Sequence, residues 1–443
     1  ARILKSRFDE IGIGTLRHHA RQNDFFAVFE CFYYEESTGN FLLKWGKEFR
    51  RLRSELAAKD HLREFVGRIN TDCPFCEVRT DRSIAFTGEM AGYPAGITET
   101  NGARILILRG PEIIQACDGE WEIIRNFLET LLPEENQRQA FYAWLAHARR
   151  ALLSRRRTQT PALALVGEPA CGKSLATQVV NLCLGNRTAN AYRHLSGATQ
   201  FNADVIGAEL LVVDDEAAST DFRTRLKMSQ NIKAHMFARH VRLEAKGVDA
   251  ITVAPIQALV IAVNSDPQHI RVLPEIDETM RDKIVLLQTA RGELPADLRG
   301  SHLLEGVLTQ EIPGFLHFLE SQDFSGHYES GRLRCHWNPQ IVDALCLMSP
   351  EMQLLALISA TPSLARTHRP GGVVPEFTAA EVQAELMDNA GTRHTASSLL
   401  AYQGSCGIYL GKLADRIGSG ITRAQRGRFD RIQKYRIDIP GEE

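Results

Sequence analysis

Apolar residues fall into two patterns along this chain: residues recurring at helical spacing, and short unbroken runs. Between residues 119 and 157, Trp121, Ile124, Phe127 and Leu128, followed by Phe141, Trp144, Leu145 and Ala148, follow the helical pattern. From 158 to about 300 the second pattern takes over in Leu163-Ala164-Leu165-Val166, Leu210-Leu211-Val212-Val213 and Ala258-Leu259-Val260-Ile261-Ala262-Val263. Runs this short and continuous suit strands buried on both faces, and helical stretches between them predict a parallel α/β unit. Residues 1–118 mix strand-like runs at Phe25–Phe29 and Ile105–Leu108 with a charged helical stretch from Lys47 to Leu62. Residues 301–368 read as helical, and the Pro/Gly-rich Arg369–Pro375 leads into a small domain at 369–443. There, a capped helix starts at Phe377–Val382 and further helices are expected at Thr395–Leu400 and Ile408–Ile417. No internal repeat interrupts these five regions.

Composition narrows the picture. A chain of 443 residues with 44% hydrophobic content allows about two to four ordinary globular domains. No apolar run nears the ~20 residues that span a bilayer. The first residues carry no signal-like segment and the nine cysteines are scattered, so no membrane is expected as a partner and a reducing cytoplasm, in a bacterial or archaeal host, is the expected setting. A net charge of −2 means that any nucleic-acid contact must come from local basic patches.

The strongest chemical signal follows the first apolar run. Gly167-Glu168-Pro169-Ala170-Cys171-Gly172-Lys173-Ser174 reads G-x-x-x-x-G-K-S, and the chain continues from Leu175 as a predicted helix. This is a phosphate-binding loop: glycines let the backbone fold around an anion, and helix amides point at it. Lys173 reaches the β- and γ-phosphates of ATP in this reading, and Ser174 holds Mg²⁺.

The other two runs end in chemistry as well. Leu210–Val213 stops at Asp214-Asp215-Glu216, where Asp214 and Asp215 are assigned to metal and water positioning and Glu216 competes for the role of base. Ala258–Val263 stops at Asn264, an uncharged donor and acceptor suited to sensing a γ-phosphate or the lytic water. Between them, His240–Val253 alternates in character around Lys246-Gly247 and predicts a β-hairpin with a basic tip.

Weaker signals keep two readings each. Cys73-Pro74-Phe75-Cys76 has the spacing of half a zinc site, against two ordinary thiols. Arg149-Arg150 and Arg155-Arg156-Arg157 suit a DNA entrance, against a basic helix end favoured by the dipole. From Gly411 to Glu443 eight basic residues face five acidic ones, and helices followed by a basic ribbon suggest a winged helix on duplex DNA, against a solvated surface.

Together, the ordered elements resemble superfamily 3 helicases of the phage and plasmid primase-helicase, poxvirus-like type. The resemblance runs from Trp121 to Phe318: the helical lead-in, GEPACGKS, VVDDE, the hairpin RLEAKG, VIAVNSD, Met280-Arg281-Asp282-Lys283 and Glu311–Leu316. It implies an AAA+-type P-loop ATPase core at 158–300, a helical lead-in and oligomerisation segment at 119–157, and a hexameric ring with DNA in its pore. It further implies that Lys246, Gly247 and Arg242 follow the DNA, that Asn264 is the sensor, and that Arg281 enters the neighbouring subunit's site, with Arg271 as the alternative. The expected activity is an ATP- and Mg²⁺-dependent helicase or translocase on single-stranded and forked DNA, with replication partner proteins, serving a mobile element. A replication initiator or remodelling ATPase without processive unwinding is the alternative, and a small-molecule kinase the third option.

Overall fold

The computed structural model describes residues 32–45, 48–66, 72–214, 222–246, 249–266, 269–274, 276, 278–295, 303–365, 374–416, 418–425 and 432–439. Two compact units divide at Asn338 and Pro339. The strand-like run Phe25–Phe29 and residues Asp215, Glu216 and Gly247 lie outside the described residues.

The first unit opens with two small sheets. Strands β1 (Phe32–Glu35), β2 (Asn40–Trp45) and β3 (Glu48–Leu52) are followed by helices α1 (Glu55–Val66) and α2 (Asp72–Asp81), then β4 (Ser83–Ile84), giving a sheet ordered β3-β2-β1-β4. The expected helical stretch from Lys47 is thus divided, because Glu48–Leu52 pairs with β2 and Phe49 packs beside Leu42, Ile84 and Leu106. Tertiary pairing overrides local helical preference there. Strands β5 (Phe86–Gly88), β6 (Gly96–Thr100) and β7 (Ala103–Ile107) form the second sheet, ordered β5-β7-β6.

Two lead-in helices follow, α3 (Glu122–Leu131) and α4 (Glu135–Ser154). They bury Phe127, Leu128, Phe141 and Trp144 in one core with Leu163, Leu165, Val260 and Leu287. The lead-in therefore packs directly on the sheet that follows it. That sheet has five parallel strands: β8 (Ala162–Gly167), β9 (Thr188–Asn190), β10 (Leu210–Asp214), β13 (Ala258–Asn264) and β14 (Ile284–Thr289), in the order β14-β8-β13-β10-β9. Strands β8 and β13 are buried throughout, as unbroken apolar runs require of a sheet covered on both faces. The first strand lies inside the sheet, with the last strand on one side and the others on the opposite side. Ligands of open α/β sheets bind at the carboxyl ends of strands beside such a reversal.

Helix α5 (Lys173–Cys183) leaves β8; α6 (Tyr192–Leu195), α7 (Ala203–Gly207) and α8 (Phe222–Ile232) follow in order. A π-helical turn at Lys233–Phe237 leads to the hairpin β11 (Val241–Leu243) and β12 (Ile251–Val253), as expected. The hairpin's Val241, Leu243 and Val253 pack with Phe86, Ile105 and Ile107 of the second small sheet. Helix α9 (Leu303–Ser321) carries Pro313 inside it, and its Glu311 carboxylate accepts from the Ile123 and Ile124 amides at 3.1 and 2.9 Å, capping α3. The expected helical region then contains a short hairpin, β15 (Tyr328–Glu329) and β16 (Arg332–Leu333).

The second unit holds α10 (Pro339–Leu347), α11 (Pro350–Ser359), β17 (Glu376–Thr378), α12 (Ala379–Asp388), α13 (Arg393–Leu399), α14 (Ser405–Asp415), β18 (Ile421–Arg423) and β19 (Lys434–Ile437). Thr378 and Glu381 form a reciprocal cap on α12. The antiparallel sheet β17-β19-β18 and the helices share a core of Leu354, Ile358, Val382, Leu410 and Tyr435. Helix α11 therefore belongs to this unit. Among the described residues no single helix is long and apolar enough to cross a membrane; the bent pair α10 and α11 has a suitable composition, but Leu354 and Ile358 are in the core.

Candidate functional site

The loop between β8 and α5 sits at the carboxyl end of the parallel sheet. Its curvature depends on Gly172, whose φ of +111° lies in the left-handed region, and on Ala170 at +55°. Gly172 also has no room for a side chain: a Cβ there would lie 2.9 Å from the Phe127 ring. A residue of the lead-in thereby forms the floor of the loop. Glu168, Pro169, Ala170 and Ser174 are exposed on its outer surface, Leu175 is half-buried, and Cys171 is buried beneath.

Lys173 is only 5% exposed. Its ammonium donates to the Glu168 carbonyl at 2.8 Å, the Gly167 carbonyl at 3.2 Å, Cys171 Sγ at 3.7 Å and Asn264 Oδ1 at 2.8 Å. Every one of these acceptors is neutral. Among the described residues no carboxylate bonds this ammonium, and a buried cation held by uncharged groups favours the approach of an anion. Asn264 itself is 7% exposed and ends β13 directly opposite Gly167 of β8. The two residues singled out from separate apolar runs thus meet in space.

Asp214 is exposed at the end of β10, opposite Ala262 of β13 and so two positions short of Asn264 along the sheet. A carboxylate there stands one strand beyond Asn264 at the same end of the sheet. The loop, Ser174 and Asp214 share the carboxyl end of the sheet, and hydroxyl and carboxylate oxygens are the donor types that hard divalent cations take.

Arg281 lies elsewhere. It precedes β14, whose Ile284 pairs with Ala162 and whose Thr289 pairs with Gly167. At about 3.3 Å per residue, the amino end of β14 is roughly 16 Å from the Gly167–Ser174 loop. Arg281 is exposed, with its guanidinium 5.8 Å from the Trp337 ring centre. Arg271 is also exposed, in a short helical turn after β13 on the loop-bearing side.

Hairpin residues form a separate surface. Arg242 is exposed and pairs with Glu244 at 3.1 Å, and Lys246 is exposed in the turn beyond β11. At the hairpin base a cleft of about 480 Å³ is lined by His194, Asn202, Lys227, His235, His240 and Arg242. Burial pushes His235 down to about 3 while its Nε2 stays 2.9 Å from Gln257 Oε1, so it is neutral. Burial likewise lowers His194. Beside the cleft, Phe201 is 55% exposed. An aromatic ring in the polar run Thr199-Gln200-Phe201-Asn202 was the available signal for it.

Of the basic runs before β8, Arg149 and Arg157 take structural roles, whereas Arg150, Arg155 and Arg156 are exposed. Arg149 is 3% exposed, bonded to Glu320 at 3.1 Å and to the Cys183 and Ile114 carbonyls. Arg157 donates to the carbonyls of Ala238, Pro255 and His235, fastening the hairpin base to the approach of β8. Neither is placed to line a DNA entrance.

Comparisons with known proteins agree with the fold. Residues 165–281, which run from the Gly167–Ser174 loop to Arg281, match a family described as a family of unknown function, DUF5906. No curated protein matches the chain. Among solved structures, an apo structure of the NrS-1 C-terminal region is similar at a TM-score of 0.55 and 11% identity, covering 92% of this chain and 95% of that one. An A-form apo structure of the same region is similar at 0.54 and 11%, covering 92% and 96%. The chain therefore shares, over nearly its whole length, the mixed α/β fold of the NrS-1 C-terminal region.

Proposed function

We propose that this chain is an ATP-driven DNA translocase, a helicase of the superfamily 3, AAA+ type that works as a hexameric ring in replication of a phage, plasmid or other mobile element. The observation that carries this reading is Lys173: a buried ammonium inside a glycine-shaped loop, held by neutral acceptors including Asn264. Bound ATP with Mg²⁺ supplies the phosphoanhydride bond to be broken and the charge neutralisation that helps break it. Lys173 turns from the loop carbonyls and Asn264 to the incoming phosphates. The Ser174 hydroxyl and the Asp214 carboxylate bind and orient the cation. Asn264, released from Lys173, orients the lytic water, and Asp215 and Glu216 share the positioning and proton-accepting roles. Arg281, too far from its own loop, serves that of a neighbour.

The hairpin supports translocation over simple nucleotide hydrolysis. Lys246 and Arg242 follow a phosphate backbone, and Phe201 offers a stacking face beside them. The second unit, with Arg423, Lys434 and Arg436 on a β-ribbon after three helices, reads as a winged-helix-like DNA-binding domain. That unit keeps one other reading in play: an initiator or remodelling ATPase that sits on a DNA site.

The deciding experiment compares the parent with Lys246→Ala on a forked duplex. The variant keeps basal ATPase activity, loses most unwinding and DNA stimulation, and binds single strands with a shallower salt dependence because fewer counterions are released. Unwinding equal to the parent's would remove the hairpin from the DNA path. A parent that hydrolyses ATP on DNA without unwinding would favour the initiator.

A further inference from the structure

Under the phosphate loop, a row of polar groups runs from Lys173 to the end of β14. The Lys173 ammonium donates to Cys171 Sγ at 3.7 Å, Cys171 Sγ lies 3.2 Å from Thr289 Oγ1, and the Thr289 hydroxyl donates to the Val166 carbonyl at 3.3 Å. A hydroxyl has one proton. Either atom can be the donor between Cys171 Sγ and Thr289 Oγ1; with the hydroxyl proton on Val166 the thiol donates, and with it on sulfur the hydroxyl does. Cys171 and Thr289 are 2% and 6% exposed, so solvent is poorly placed to replace a missing partner. The fit is also tight: a Cβ on Gly167 would fall 2.1 Å from Thr289 Oγ1, and the Gly292 amide donates to the Cys171 carbonyl at 2.7 Å. The last residue of β14 and the turn after it thus hold the loop from below, while its outer surface is exposed.

We propose that Thr289 is a positioning residue for nucleotide binding, acting through Cys171 to hold the loop amides in the curvature that receives a triphosphate; this rests on the reading of the loop as an ATP site. Thr289 touches no reacting atom. Its role follows from how sharply phosphate recognition depends on geometry, since amides must converge on the same oxygens and small misplacements are costly. Thr289→Val keeps the branched shape but puts a methyl where the Cys171 thiol needs its hydrogen-bond partner.

The test measures ATP kcat and KM on the full chain with saturating DNA, together with equilibrium binding of a fluorescent ATP analogue and thermal melting. Thr289→Val raises KM and the dissociation constant roughly tenfold, the scale of one buried hydrogen bond, and its effect on KM exceeds that on kcat. Thr289→Ser restores both. Cys171→Ala reproduces the Val effect, and the double variant is no worse than either alone, as expected of groups in one row. Parent-like KM and binding in Thr289→Val or Cys171→Ala overturns the proposal. So does a lower melting temperature and kcat at unchanged KM, which describes a residue that only supports the fold. If Thr289→Val does not fold, Cys171→Ala decides alone. A parent that binds the analogue no better than Lys173→Ala overturns the ATP-site reading instead, a separate result.

Discussion

At the carboxyl ends of four of the five parallel strands stand Gly167, Asn264, Asp214 and Thr289, and the Gly167 carbonyl and Asn264 Oδ1 accept from the buried Lys173 ammonium. At the amino ends stand groups that bind the sheet to its surroundings. Arg187, just before β9, donates to Glu209 Oε2 at 2.8 Å and to the Arg109 carbonyl at 2.6 Å, while Glu209 accepts from the Gly92 amide at 2.7 Å. Gln257 reaches His235, and the Trp144 indole donates to the Pro161 carbonyl at 2.7 Å. The hairpin is joined to this end too, through Ala254–Gln257 ahead of β13. Among the described residues, the Lys173 ammonium at one end bonds only to uncharged acceptors, whereas at the other end Arg187 is paired with Glu209 and Arg281 is exposed. The difference teaches that a candidate site stands out where a buried charge bonds only to uncharged groups, and that two arginines at the same end of a sheet can have opposite fates.

The largest expected effect comes from emptying the carboxyl end. Lys173→Ala abolishes ATP hydrolysis with the circular dichroism spectrum retained, and turnover within tenfold of the parent would mean that the loop is not the motor site. Next is the exposed arginine. Arg281→Ala lowers turnover by about 10³-fold, the scale of a charge supplied to a phosphoryl-transfer transition state, while separated subunits still bind nucleotide. Mixing it with Lys173→Ala partly restores hydrolysis, because some interfaces then combine an intact loop with an intact arginine; no recovery at any ratio would count against supply by a neighbour.

The buried arginine sharpens the contrast. Arg187→Met leaves Glu209 buried without its partner and lowers stability in urea by about 3–5 kcal/mol, and Arg187→Met with Glu209→Leu recovers most of it. Arg281→Ala changes stability by no more than about 0.5 kcal/mol. Equal stability losses from the two arginines would erase the distinction between them. The smallest effect is at Ala170, whose φ of +55° strains any residue with a Cβ. Ala170→Gly stabilises the chain by less than about 1 kcal/mol, since relief of that strain is partly offset by the greater freedom of unfolded glycine; a clear loss of stability would show that the Ala170 methyl is needed for packing.

Much of the first unit was legible because its elements are spelled locally. The lead-in helices announce themselves through Trp121, Phe127, Phe141 and Trp144, and the central strands through unbroken apolar runs that end in Gly167, Asp214 and Asn264. The hairpin was legible from alternation around Lys246. Glu48–Leu52 was misread as helix because its charged residues suit a helix surface, and only pairing with β2 makes it a strand. Arg149 and Arg157 are indistinguishable by residue type from DNA-binding arginines; burial against backbone carbonyls gives them a structural role. Phe201 gave a faint signal, and Thr289 and Arg187 gave none, because a threonine ending a strand or an arginine before one is ordinary until its partners are known.

By itself the amino-acid sequence determined the glycine-shaped turn at Gly167–Ser174, the parallel character of the sheet and the separate apolar runs, since each depends on residues adjacent in the chain and on short-range sterics. The tertiary structure alone decided that Asn264 meets Lys173, that Phe127 closes the space behind Gly172, and that Arg281 stands at the far end from its own loop. These depend on the order and register of strands distant in sequence, which no local pattern of residues specifies.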